Sequence, residues 1–407
     1  LYTYFYEKSY QILKQEGFSC FISSNKWMRA KYGEKLRRFF KEKTTLKQII
    51  DFNGYQVFDA TVDTNILLFQ KTKPSENIVH ILNIQPDFTP STDITNYFNS
   101  HKLEMRQSEL DINCFTFADE TVINLKAKIE RIGKPLKDWD VKIYYGIKTG
   151  LNEAFIIDTE TKEKLCKEDP KSAEIIKPIL RGRDIYRYGY KWAGLWVIGT
   201  FPSLRLNIDD YPTIKKYFLD NFDVRQLEQS GKKYPELGFD ARKKTGNKWF
   251  ETQDNIAYYS EFEKEKIVWQ EIVREPSFSY DKNNFYCEAT TFLMTGKYLK
   301  YLIAILNSEP ATFFFKQFYA GGGLGKSGYR YKKAFLEQLP IPKISESEQQ
   351  PFINLVDKIL AITKDEDYLE NPEKQAKVKE YENQIDELVY KLYSLTDKEI
   401  EIIENGK

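Results

Sequence analysis

The sequence predicts an α/β unit, then an α+β, mainly-β unit and a helical tail, and three observations lead there. Over roughly the first hundred residues, apolar positions switch between helical and strand periods in the order α-β-α-β-β-β. Beyond Gly133 and Pro135 short apolar runs are broken by Gly, Pro, Asn and Asp, the punctuation of strands and surface loops. After Leu339-Pro340-Ile341-Pro342 the period is helical to the end. A chain of 407 residues is long enough for two or three such units.

Tyr2, Phe5, Tyr6, Ile12 and Leu13 fall near helical spacing, and Gly17 stands where a left-handed cap is wanted. Phe18 to Ile22 reads as a strand. Ser23, Ser24 and Asn25 offer caps for a second helix carrying Trp27, Met28, Leu36, Phe39 and Phe40. Leu46 to Phe52, Thr64 to Phe69 and Ile78 to Ile84 follow as strands, the first ending at Asn53-Gly54. This is half of a doubly wound sheet, and no earlier β-α units supply the other half. The chain opens at Leu1, inside a helix and without Met, so upstream material is expected to be missing. Residues 119–137 read as a helix running into a junction. In the tail, Phe352, Leu355, Val356, Ile359 and Leu360, then Ile385, Leu388, Val389 and Leu392, mark two helices.

Composition narrows the chemistry. The chain is 41% hydrophobic, 30% charged and 15% aromatic, as in an ordered protein with many flat rings, most of them core residues. A net charge of +1 gives no global nucleic-acid signature, so any basic footprint is local. The cysteines at 20, 114, 166 and 287 share no short spacing and read as reduced, buried thiols. With only His80 and His101, zinc frameworks and most histidine-based catalysis are excluded, and no metal is expected. No apolar run reaches membrane-spanning length and no signal segment opens the chain, so a cytoplasmic protein is expected.

Ala320-Gly321-Gly322-Gly323-Leu324-Gly325-Lys326-Ser327 mimics a phosphate loop. Such a loop must join a strand to a helix N-terminus, whereas here Gly328 and the basic, aromatic Tyr329-Arg330-Tyr331-Lys332-Lys333 follow. Lys326, Tyr329 and Arg330 beside bare glycine N–H groups suit a DNA backbone better. Lys232, Lys233, Arg242, Lys243, Lys244 and Lys248 cluster around Tyr234, Phe239, Trp249 and Phe250 and form the best local basic patch; a solvated loop with incidental charge is the plain alternative. Arg181-Gly182-Arg183-Asp184 offers arginine forks for phosphates or guanine edges, or a self-contained surface pair.

Several blocks then point to a family. Leu1-Tyr2-Thr3-Tyr4-Phe5-Tyr6-Glu7-Lys8, Leu13 to Phe18, Phe21-Ile22-Ser23-Ser24-Asn25-Lys26-Trp27-Met28, Tyr32 to Arg37 and Gln56-Val57-Phe58-Asp59-Ala60-Thr61 resemble consecutive motifs of adenine-specific DNA methyltransferases of type II and type IIG restriction-modification systems. Tyr145 to Phe155, Lys177 to Ile185, Leu306-Asn307-Ser308 and Leu339 to Pro342 are similar to the TaqI-like C-terminal specificity domain. The resemblance implies the distal half of a Rossmann-like methyltransferase domain (1–117), a helical linker (118–134), a target-recognition domain (135–343) and C-terminal helices (344–407). It implies duplex DNA as partner, contacted at Lys148, Thr149 and Asn152 as well as at the arginines and lysines above, and Phe58 packed on an adenine swung out of the helix. A buried strand-end Phe is the plain alternative for Phe58.

Relatives bind S-adenosylmethionine through an upstream Gly-containing turn and hold the target amino group with an Asn-Pro-Pro-Tyr motif. Neither occurs in this chain, which alone is expected to be inactive, with its cofactor residues in a missing N-terminal half and an endonuclease domain as a further possible neighbour. Two rivals differ in class. A non-enzymatic specificity subunit would open with a recognition domain, not with this α-β-α start, and a nucleotide hydrolase would bind ATP at Lys326.

Overall fold

A five-stranded sheet, ordered β1-β3-β2-β4-β5, organises the first segment of the computed structural model, which describes every residue except 1, 60–61, 85–87, 90, 113, 116, 118–119, 321–327 and 406–407. The elements run α1 (Thr3–Ile12), β1 (Phe18–Ser24), α2 (Glu34–Lys43), β2 (Thr45–Asp51), β3 (Thr64–Gln70), β4 (Ile78–Asn83), α3 (Ile94–His101), β5 (Leu103–Arg106) and α4 (Glu120–Ile132). The order expected from periodicity holds through β4. The sheet is mostly antiparallel: β2 and β4 run parallel, while β1–β3, β2–β3 and β4–β5 are antiparallel. β5 escapes the periodicity because its four residues bury only Met105, and α3 is a single short helix set by its Asp93 cap, which accepts from the N–H groups of Thr95 and Asn96.

Local chemistry corrects two readings here. The left-handed residue after α1 is Glu16 (φ 65°), not Gly17, and Phe5 and Ile12 of that helix face outward while Tyr6 is buried. The second helix is divided: Ser24 caps a 3-10 turn over Asn25–Met28, a second turn covers Lys31–Gly33, and α2 starts at Glu34. Gly33 lies so close beneath Trp27 that a Cβ there would come within 1.9 Å of its carbonyl oxygen. Buried Arg37 locks this turn by donating to the carbonyls of Ala30 (2.9 Å) and Ile112 (2.7 Å). Tyr6, Trp27, Phe40, Phe69 and Phe115 form the aromatic centre of the segment, with Trp27 and Phe40 centroids 5.1 Å apart.

The second segment holds two four-stranded sheets. One orders Tyr286–Cys287, Ile176–Leu180, Leu195–Ile198 and Ile156–Asp158; the other orders Ser279–Asp281, Lys266–Gln270, Thr291–Gly296 and Val141–Tyr145. Helices are interleaved with these strands, so the mainly-β expectation gives way to a mixed α/β arrangement. Leu299–Asn307 is apolar nearly all round and is buried except at Lys300, as a core helix must be. Lys266 and Asp281 form an ion pair with both side chains fully buried. The C-terminal region contains three helices, Glu346–Thr363, Pro372–Leu392 and Asp397–Asn405, where two were read; the third is short and largely charged. α4 buries Leu125 and Ile129 in the same core as Ile385, Val389 and Ile403, and Lys128 pairs with Glu399 at 2.6 Å. Cys20 is exposed, against the expectation of buried thiols. No helix among the described residues is long and apolar enough to cross a membrane.

Asp386, 6% exposed on Pro372–Leu392, accepts from the Glu309 N–H at 2.8 Å. Burial pushes its carboxyl up to about 6, with the Glu309 charge adding and the Glu309 N–H, Lys379 and Arg187 opposing. The native carboxyl therefore holds its proton at a higher pH than the unfolded chain does, and stability rises as pH falls from about 6 towards 4. Asp386→Asn keeps an acceptor for Glu309 without the buried charge. It is expected to gain about 1–3 kcal/mol over the parent near pH 7 in denaturant titrations, a gain that vanishes by about pH 4.

Candidate nucleic-acid interface

The turn 287–291 is the hub on which distant sequence blocks meet. Gly146 packs on it so closely that a Cβ would lie 2.0 Å from the Glu288 carbonyl oxygen, and the Ile147 N–H donates to Cys287. On the other side the Glu288 N–H donates to Leu180, and the Gly182 N–H donates to the Thr290 hydroxyl at 3.1 Å. Glu271 joins through its N–H to the Thr290 carbonyl, bringing along Arg330, which pairs with the Glu271 carboxylate at 3.3 Å. The two motif glycines are thus close-approach residues.

Arg242 ties this hub to the basic patch. It is 4% exposed and donates to the carbonyls of Leu227 (2.8 Å), Thr149 (2.9 Å), Glu251 (2.8 Å) and Trp249 (2.6 Å), with its guanidinium over the Phe155 ring. Desolvation holds its pKa down at about 10. Its expected role as a DNA contact is corrected: the donors are directed into the protein. Thr149 is corrected likewise. It is fully buried, and its hydroxyl accepts from the Leu151 N–H while donating to Asn152 Oδ1 at 2.6 Å.

The remaining expected contacts divide by exposure and pairing. Lys148, Asn152, Arg183, Lys243, Lys244 and Lys248 are exposed. Lys148 and Lys243 both act on Asp254, whose carboxyl is raised by burial and pulled down by these two ammonium groups, so the patch and the 146–150 loop share a face. The hairpin Lys233–Tyr234/Phe239–Asp240 carries exposed Lys232 and Lys233 alongside. Arg181 is a self-contained pair: its guanidinium grips Asp184 at 2.7 and 3.1 Å, and this pairing raises its pKa, with Glu288 adding a smaller electrostatic contribution. Arg330 is half-satisfied by Glu271. Tyr329 pairs with Val273 in a two-residue strand, and burial raises its phenol pKa with Arg29 and Asp63 of the first segment close enough to act on it. Lys326 lies outside the described residues, as do Ala60 and Thr61. The segment before the glycine run is helical (Phe315–Tyr319) and the one after it is a strand, the reverse of a phosphate loop.

Phe58 stands on the loop that leaves the C-terminal end of β2, 46% exposed. The buried strand-end reading is therefore wrong. The strand itself ends at fully buried Asp51, which accepts from Asn25 Nδ2 and Arg29 at 2.8 Å each at the end of the parallel pair β2–β4, the side on which α/β sheets take ligands. Sequence reasoning missed Glu288, Thr290, Glu271 and Asp254, because nothing in Cys287-Glu288-Ala289-Thr290 sets one acid apart from the other 59 acidic residues.

Comparison with known proteins places these features. Residues 1–58 match the family described as Eco57I restriction-modification methylase, and residues 177–341 match the TaqI-like C-terminal specificity domain. The chain is 24% identical to the type II methyltransferase M.BstVI of Geobacillus stearothermophilus, over all of this chain and 69% of that protein. It is 23% identical to M.XhoI of Xanthomonas vasicola, over 84% of this chain and 62% of that one. A solved structure of the type IIL restriction-modification enzyme MmeI in complex with DNA shares the fold with a TM-score of 0.59 at 13% identity, covering 97% of this chain and 49% of the MmeI chain. The chain thus spans about half to two thirds of the proteins it matches. Its first 58 residues are thus similar to the Eco57I restriction-modification methylase family, and residues 177–341 are similar to the TaqI-like C-terminal specificity domain.

Proposed function

We propose that this chain recognises duplex DNA within an adenine-N6 DNA methyltransferase of a restriction-modification system. The observation that carries the reading is the single face on which the 146–152 loop converges with the 243–248 patch and the turn 287–291, the last two inside the matched specificity domain. Lys148, Arg183, Lys243, Lys244 and Lys248 take phosphates, joined by Lys326, Tyr329 and Arg330 of the glycine run, while loop side chains read base edges in the major groove.

Phe58 packs against the extruded adenine in this reading, an exposed side chain on the loop that leaves the ligand side of the sheet. S-adenosylmethionine supplies the methyl group in such enzymes. The turn after β2 leads into an irregular loop and not into a helix N-terminus, so that turn is given no role in holding the cofactor. Further methyltransferase strands would cover β1, which ends the sheet with Phe18 and Ile22 exposed, and α1, where Tyr4, Phe5 and Ile12 are exposed. The domain limits 1–117, 118–134, 135–343 and 344–407 belong to the same proposal, as does inactivity of the chain by itself. A fused endonuclease has a precedent in RM.Eco57I, a type II restriction enzyme and methyltransferase of Escherichia coli, 34% identical over 76 residues.

In the full-length gene product, Phe58→Ala is expected to slow methyl transfer to adenine by about 10–100-fold, the worth of one base–ring stack, with DNA affinity changed less than about threefold. Equal loss of both would remove Phe58 from the base site. A full-length product that binds DNA but transfers no methyl group would favour the non-enzymatic specificity subunit.

A further inference from the structure

Asn152, exposed on this face, has its amide held from both ends. Thr149 donates to its Oδ1 at 2.6 Å, and the Thr149 hydroxyl is itself oriented by the Leu151 N–H at 3.2 Å. Its Nδ2 faces Glu288 Oε1 at 3.4 Å. Glu288 is 9% exposed, and its other oxygen is committed to Thr290, accepting from the hydroxyl at 2.6 Å and the N–H at 3.1 Å. Oδ1 is thereby turned inward as an acceptor, and the second N–H of Nδ2 is presented outward. Asn152 and Glu288 line a cavity of about 340 Å³ together with Lys148, whose ammonium offers only donors, and with Glu153.

We propose that Asn152 is a fixed hydrogen-bond donor to duplex DNA and that Glu288 is the positioning residue that fixes it. The ligand is an acceptor atom, either a phosphate oxygen or a purine N7 or guanine O6 in the major groove. An unheld asparagine could turn its amide and pair with donors or acceptors alike; this one cannot present its oxygen without losing Thr149 and setting its own oxygen against the Glu288 carboxylate. The proposal rests on the DNA-recognition reading and assigns to Glu288, on the opposite side of the sequence, a role the motif residues alone do not reveal.

The test uses Asn152→Asp alone and combined with Glu288→Gln. The single variant places two carboxylates in contact and is expected to lower Tm. The double variant restores a donor–acceptor pair between positions 152 and 288 and keeps net charge unchanged, so Tm is expected to recover while duplex-DNA affinity stays about 10-fold below the parent chain. Selection from a pool of random-sequence duplexes separates the two ligands: a changed preference at one base position identifies a base edge, and uniformly weaker binding with the same preference identifies a phosphate. Parent-like affinity in the double variant would overturn the donor role, and an unchanged Tm in Asn152→Asp would overturn the positioning role of Glu288. Failure of the parent chain itself to bind any duplex would instead defeat the DNA-recognition reading, and this proposal with it.

Discussion

Replacing Arg242 by alanine is expected to cost about 2–4 kcal/mol of stability and to uncouple the basic patch from the motif loop. The size follows from what the guanidinium leaves behind. Thr149 and Glu251 keep second donors, the Gln253 N–H and Gln229 Nε2 respectively, but the carbonyls of Leu227 and Trp249 lose the guanidinium bond in a buried setting. Relief of the cation's own desolvation, visible in its lowered pKa, offsets part of the loss. Arg242→Lys is not expected to rescue, since one ammonium with three donors cannot reach four carbonyls set around a planar fork. Denaturant titration measures the cost. A change below about 0.5 kcal/mol would mean that the two loops hold together without this side chain.

The combined change Lys148→Gln, Lys243→Gln and Lys244→Gln acts on binding and leaves the fold alone, because all three side chains are exposed. Each phosphate neutralised by a lysine contributes about 0.9 to the slope of log affinity against log salt, and so about 0.9 of a decade at roughly 0.1 M salt. Three lost contacts then weaken duplex binding about 500-fold and flatten the slope by about 2.7. A loss of only a few-fold would return these lysines to the status of solvated surface charge.

Periodicity revealed elements wherever a single face is buried over several residues, as in β2 and in the tail helix that buries Ile385 and Val389. It failed at β5 and α3, which are too short for a period to register, and at the Trp27 turn, where Arg37 and the missing Cβ of Gly33 decide the backbone. The candidate site divides in the same way. Exposed lysines were legible because charge patterning is local. Arg242 and Thr149 were misassigned because a basic cluster and a motif cannot say which member turns inward, a choice made for Arg242 by the carbonyls folded around it, that of Thr149 93 residues away among them. Glu288 was invisible for a related reason: its partners Asn152 and Arg181 lie more than a hundred residues upstream.

The most direct test is the salt dependence of duplex-DNA binding by this chain. Seven cations proposed to take phosphates, Lys148, Arg183, Lys243, Lys244, Lys248, Lys326 and Arg330, predict a slope of log affinity against log salt of about −6.3, shallower in the triple glutamine variant by the amount given above. A flat response, or the same slope in both proteins, would contradict the claim that this face takes DNA.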